Sequence, residues 1–142
     1  MRLEPKLEQV LKKYPESVRV VFKNYPLKNH KFAAKAATAA LSAGRQGKFW
    51  EFHDELFKNY RQLSDKKLNE IARKLDLNEA QFQEDRKDPE IVAKVQADYQ
   101  EGSKIGVRGI PAVFVNGKRI NNRDLQTIGS IIEKEIKKTK KR

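Results

Sequence analysis

Residues 112 to 120 constrain this chain more tightly than any other stretch. Ala112-Val113-Phe114-Val115 and Lys118-Arg119-Ile120 flank Asn116-Gly117. Two alternating apolar runs around Asn-Gly spell a β-hairpin with a two-residue type I′ turn, because both central residues of that turn need positive φ and Asn-Gly adopts it at low steric cost. The segment just before it, Gly106-Val107-Arg108-Gly109-Ile110-Pro111, ends helical periodicity. Asp124 then opens a last helix whose Leu125, Ile128, Ile131, Ile132 and Ile136 form an apolar stripe able to cover one face of the hairpin. A chain carrying this unit is not an all-helical bundle.

Upstream, residues 3 to 14 predict an amphipathic helix with Leu3, Leu7, Val10 and Leu11 on one face, stopped by Tyr14-Pro15. Val18-Arg19-Val20-Val21-Phe22-Lys23 predicts a strand buried on most of both sides. From His30 to Ala43 the chain is alanine-rich, which favours helix and close packing. Phe49 to Tyr60 predicts a helix whose Phe49, Trp50, Phe52, His53, Leu56, Phe57 and Tyr60 are expected to be core. Ser64, Asn78 (with Gln81) and Asp88-Pro89-Glu90 each read as the start of a further helix. The order is helix, strand, helical block, hairpin, helix, an α/β pattern.

A length of 142 residues suits one domain with a sizeable core. There is no cysteine, so disulfides, thiolate zinc sites and a cysteine nucleophile are excluded, and two histidines leave little for a metal site. No cofactor and no metal are expected. The charged start Met1-Arg2-Leu3-Glu4-Pro5 is no signal peptide, and no run approaches a membrane span. The formal net charge is +12. Residues 61 to 100 hold 8 basic and 9 acidic groups, against 11 and 4 in residues 101 to 142, so the excess lies near the carboxyl end. Its extreme, residues 137 to 142, reads as a solvated basic tail.

With one strand placed in front, the element order becomes βαβ, helices, ββα. Three segments give that order a more specific meaning: Val20-Val21-Phe22-Lys23-Asn24-Tyr25-Pro26-Leu27, Gln46-Gly47-Lys48-Phe49-Trp50-Glu51-Phe52-His53-Asp54, and Gly109-Ile110-Pro111-Ala112-Val113-Phe114-Val115-Asn116-Gly117. In this order they resemble the DsbA-like thioredoxin family of disulfide oxidoreductases, over nearly the whole chain. The resemblance implies a thioredoxin-like fold lacking the amino-terminal strand, as a single domain over 1–136 with a helical insertion at about 30–105. It implies that Pro111 is the family's cis-proline, and that Gly109, Ile110 and Pro111 pair with an extended peptide of a partner protein. It also places Leu3-Glu4-Pro5 just beyond the family's Cys-X-X-Cys motif, so that the chain starts after the motif and both cysteines are lost.

Without a low-pKa thiolate there is no redox exchange, and no catalytic residue is expected. If the chain is a fragment, the resemblance implies that its parent is a disulfide oxidoreductase using the missing cysteines; if it is complete, the expected function is binding of an extended protein segment near Ile110-Pro111, or structural association. A sheet missing its central strand exposes edges, and a homo-oligomer is the expected remedy. No membrane partner is expected. The chain as written points to the cytoplasm; a fragment of a longer precursor would point to export. The alternative is a basic nucleic-acid-binding protein using the tail and the Lys118-Arg119/Arg123 edge, although no exposed aromatics are interleaved there for base stacking. His53 reads as a packed histidine rather than a base. The pairs Asp54/Glu55 and Glu84/Asp85 read as solvated, and the glycines at 102, 106 and 109 form no phosphate loop.

Overall fold

A computed structural model describes residues 3–140. Met1 and Arg2, on which the starting point of the chain turns, and Lys141 and Arg142 of the basic tail lie outside the described residues. The chain forms two compact units: Lys23–Gly106, continuous in sequence, and a second made of Met1–Phe22 with Val107–Arg142.

The continuous unit is helical: α2 (Ala33–Gly44), α3 (Phe49–Lys58) and a 3₁₀ turn at Tyr60–Gln62, then α4 (Asp65–Lys74), α5 (Glu79–Lys87) and α6 (Pro89–Lys104). Its centre is α2, which packs against each of the other four α-helices. Ala36, Ala39, Ala40 and Ala43 are buried, and their small side chains let the neighbouring helices come close. Where α2 turns towards α3, a Cβ on Gly44 would stand 3.3 Å from that of Phe49. Phe52 and Phe82 are fully buried, their rings 5.6 Å apart, and each contributes roughly 1.5–3 kcal/mol of burial. Three helices start at the capping residues read from the sequence. Ser64 accepts from the Lys67 N–H, Asn78 from that of Gln81, and Asp88 from that of Glu90.

The aromatic row of α3 is only half core. Phe52 and His53 are buried and Phe49 and Leu56 partly so, but Trp50, Phe57 and Tyr60 are 47%, 38% and 55% exposed. At about 100° per residue the row spans an arc of about 160°, wider than one packed side can cover, and Trp50 and Phe57 lie at its edge. The same geometry corrects the reading of the paired carboxylates as solvated. Successive helical residues point about 100° apart, so one of each pair turns inward: Glu55 and Asp85 are buried. Glu55 accepts from Lys58 and Lys74 at 3.0 and 2.9 Å, and Asp85 from Arg45 and Gln81 at 3.0 and 2.9 Å.

The discontinuous unit holds α1 (Glu4–Lys13), the antiparallel strands β1 (Val113–Val115) and β2 (Lys118–Ile120), and α7 (Leu125–Lys140). Val113 pairs with Ile120, Phe114 with Arg119 and Val115 with Lys118. The turn residues Asn116 and Gly117 have φ of 47° and 82°, as a type I′ turn requires. Val10 of α1, Ile120 of β2 and Ile128 and Ile132 of α7 make the core, with Val18, Val113, Val115 and Ile136 packed around them. The expected strand over Val18–Lys23 does not form. The segment has no secondary structure, and Val21 is 57% exposed. Alternating apolar residues become a strand only beside a neighbour that completes the hydrogen-bond ladder, and among the described residues β1 and β2 pair only with each other.

Candidate functional site

Gly109, Ile110 and Pro111 form the segment that leads into β1. Val107 is buried at its start, while Gly109, Ile110 and Pro111 are exposed, Ile110 at 53%. The Ile110–Pro111 peptide bond is cis. Among the described residues, no backbone hydrogen bond reaches the main-chain groups of Gly109 or Ile110, on the approach to β1.

One side of this segment is held by a chain of contacts. The Arg123 guanidinium donates to the Pro111 carbonyl, and the Arg123 carbonyl in turn accepts from the Lys6 ammonium at 2.7 Å. Arg123 stands in the elbow between β2 and α7. That elbow is set by Asp124, whose carboxylate accepts from the Thr127 N–H and hydroxyl, both at 2.8 Å, as the cap of α7. Those two bonds hold the Asp124 carboxyl below the ordinary carboxylate range. The first turn of α1, the Asn122–Asp124 elbow and Pro111 are thus fastened together by side chains meeting main-chain oxygens. Asp124 could be read from the sequence as a cap, with Thr127 three residues on. In the sequence Arg123 belongs only to a basic edge, and nothing marks Lys6. Nothing local signals a contact between residues 117 positions apart.

The other candidates do not join this segment. His53 belongs to the helical unit, buried among Phe49, Trp50 and Phe57 at ring distances of 5.9, 5.5 and 4.7 Å, with the Asp54 carboxylate 3.7 Å from its Nδ1. That is the packed histidine expected. His30 is exposed and its carbonyl accepts from the Ala33 N–H at the entry to α2. Among the described residues no three His, Cys, Asp or Glu side chains converge as a metal would need, and no helix is long and apolar enough to cross a membrane. The site offers exposed residues whose main chain has no backbone partner among the described residues, an apolar side chain and neighbouring positive charge.

Comparison with known proteins gives this arrangement a context. A family profile described as the DSBA-like thioredoxin domain matches residues 1–133. A Na(+)/H(+) antiporter NhaA 3 of Salinispora tropica is 37% identical over 117 residues, 82% of this chain and 18% of the antiporter. A probable disulfide bond formation protein D of Bacillus anthracis is 32% identical over 130 residues, 85% of this chain and 59% of that protein. The chain therefore spans less than two thirds of either relative. The crystal structure of a thioredoxin-like oxidoreductase from Silicibacter pomeroyi superposes with a TM-score of 0.80 at 26% identity, covering 96% of this chain and 78% of that one.

Proposed function

The chain belongs to the DSBA-like thioredoxin domain family and has a thioredoxin-like fold; from that premise we propose that it is a protein-binding module that pairs the backbone of Gly109–Ile110 with an extended segment of another protein, without exchanging disulfides itself. The exposed main chain of Gly109 and Ile110, without a backbone partner among the described residues at the head of β1, carries this reading. An extended peptide laid there adds main-chain hydrogen bonds in the manner of strand addition. Absence of cysteine from all 142 residues supports the second half, since thiol-disulfide exchange proceeds through an attacking thiolate.

The competing reading, a nucleic acid held by the basic tail and the Lys118-Arg119/Arg123 edge, is disfavoured at Arg123, which is half-buried and already donates to the Pro111 carbonyl. We also propose self-association through the exposed Val21–Phe22 end of the Val18–Phe22 segment. Val21 is 57% exposed there, and a two-stranded sheet leaves edges open to added strands.

The test uses reduced, carboxymethylated α-lactalbumin, an unfolded probe with blocked thiols, and titrates its binding by fluorescence anisotropy. Ile110→Pro removes the pairing N–H and is expected to weaken binding about tenfold, the equivalent of one lost backbone hydrogen bond. Ile110→Ala keeps that N–H and is expected to cost less. Equal losses in the two variants, or no binding by the unaltered chain, refutes the pairing. Insulin reduction by this chain is expected to stay at the buffer background, and turnover above it refutes redox inactivity.

A further inference from the structure

Between Val107 and Arg123 the chain has no aspartate or glutamate, against four cations, Arg108, Lys118, Arg119 and Arg123. Two of these bracket the exposed Ile110. Arg108 stands two residues before it and is itself exposed, and the Arg123 guanidinium reaches the carbonyl of Pro111, the residue after it. The Lys6 ammonium adds a further charge at the Arg123 carbonyl, 2.7 Å away. Little opposes these cations. Glu4 and Glu8 of α1 lie two residues to either side of Lys6 and so point about 160° away from it. Asp124, the first carboxylate past Arg123, has one oxygen on the Thr127 N–H and the other on the Thr127 hydroxyl. Lys118 and Arg119 belong to β2, paired with Val115 and Phe114, farther along the hairpin from Ile110.

We infer that the partner segment taken up at Gly109–Ile110 is acidic, an extended peptide with Asp or Glu on both sides of an apolar residue that meets Ile110, and this rests on the backbone pairing proposed for that segment. The planar fork of a guanidinium matches a carboxylate, and complementary charge across an interface fixes register and suppresses wrong partners. A cation before Ile110 and another after it therefore select carboxylates before and after the apolar residue of the partner. The same site separates a peptide from other polyanions. A phosphodiester chain has no amide N–H to give the main-chain carbonyls of Gly109 and Ile110 and no aliphatic side chain to lay on Ile110, so charge alone would hold it.

The full chain is to be titrated, by fluorescence anisotropy, into three end-capped peptides carrying the same dye. The first has valine-isoleucine-valine between paired glutamates, the second has glutamines in place of the glutamates, and the third keeps the glutamates around a glycine centre. The glutamate peptide with the apolar centre is expected to bind about fivefold tighter than the glutamine peptide, a preference that shrinks with added salt. Arg108→Gln is expected to lower that preference to about twofold. Lys66→Gln, which removes the same charge from an exposed residue of α4, is expected to leave it at about fivefold. Circular dichroism establishes that both variants are folded. Equal affinity for the glutamate and glutamine peptides overturns the acidic preference and leaves the backbone pairing standing, whereas binding of neither removes the pairing and this inference with it. An equal loss in Lys66→Gln, or a glycine-centred peptide bound as tightly as the apolar one, makes the effect one of overall charge and also overturns it.

Discussion

Burial works against a charge on Asp98, whose side chain is 1% exposed on α6, yet donors surround it. The Asn24 N–H at 3.0 Å, the Lys94 ammonium at 2.6 Å and the Asn24 side-chain amide at 2.9 Å all reach its carboxylate, and Lys23 stands 3.9 Å away. Together they outweigh the desolvation and hold its pKa below the ordinary 3.8. Because the folded-state pKa is depressed, the stabilisation is full above the unfolded value and is lost as pH falls through the folded one. Asp98→Ala is therefore expected to cost about 2–4 kcal/mol in urea unfolding at neutral pH. The gap to the unaltered protein is expected to close as the solution is acidified below 3.8. A gap that stays constant to low pH refutes the assignment to the ionised form. Asp98 was not legible in the sequence as a buried acid, because its main partner, Asn24, lies 74 residues away.

At the scale of elements, the devices that act over three or four residues could be read directly. Ser64, Asn78, Asp88 and Asp124 each cap the helix they were expected to start. The Asn116-Gly117 turn is equally local. Gly117, at φ 82°, occupies the left-handed region that costs a side-chain-bearing residue about 1–2 kcal/mol. Gly117→Ala is expected to lower stability by about that amount, with nothing within 4 Å of an added Cβ to mask the backbone effect. An unchanged unfolding midpoint removes the turn assignment. Val18–Lys23 shows the limit of such reading, since its pattern was that of a strand and only its neighbours decide whether a ladder exists. The site divides the same way. Gly109, Ile110 and Pro111 could be located from the motif around them, but the Arg123 and Lys6 contacts come from chain closure over long distances.

For the whole molecule, the exposed apolar pair Val21 and Phe22, at 57% and 40% exposure, lies in a unit whose sheet, among the described residues, has two strands. Surface of that kind favours association between copies. Light scattering is expected to give a mass above that of the monomer at high protein concentration, falling on dilution, and Val21→Lys is expected to move it to the monomer. A monomeric mass at every concentration rules out self-association. The division into units also bears on how the protein is made. Lys23–Gly106 is one unbroken run with its own core around Phe52 and Phe82, whereas the other core joins Val10 to Ile128 and Ile132 across it. During synthesis the helical unit has every residue it needs once Gly106 has emerged from the ribosome, while α1 must wait for α7. An interruption of translation between the two events would release a chain with one finished core and one half-built.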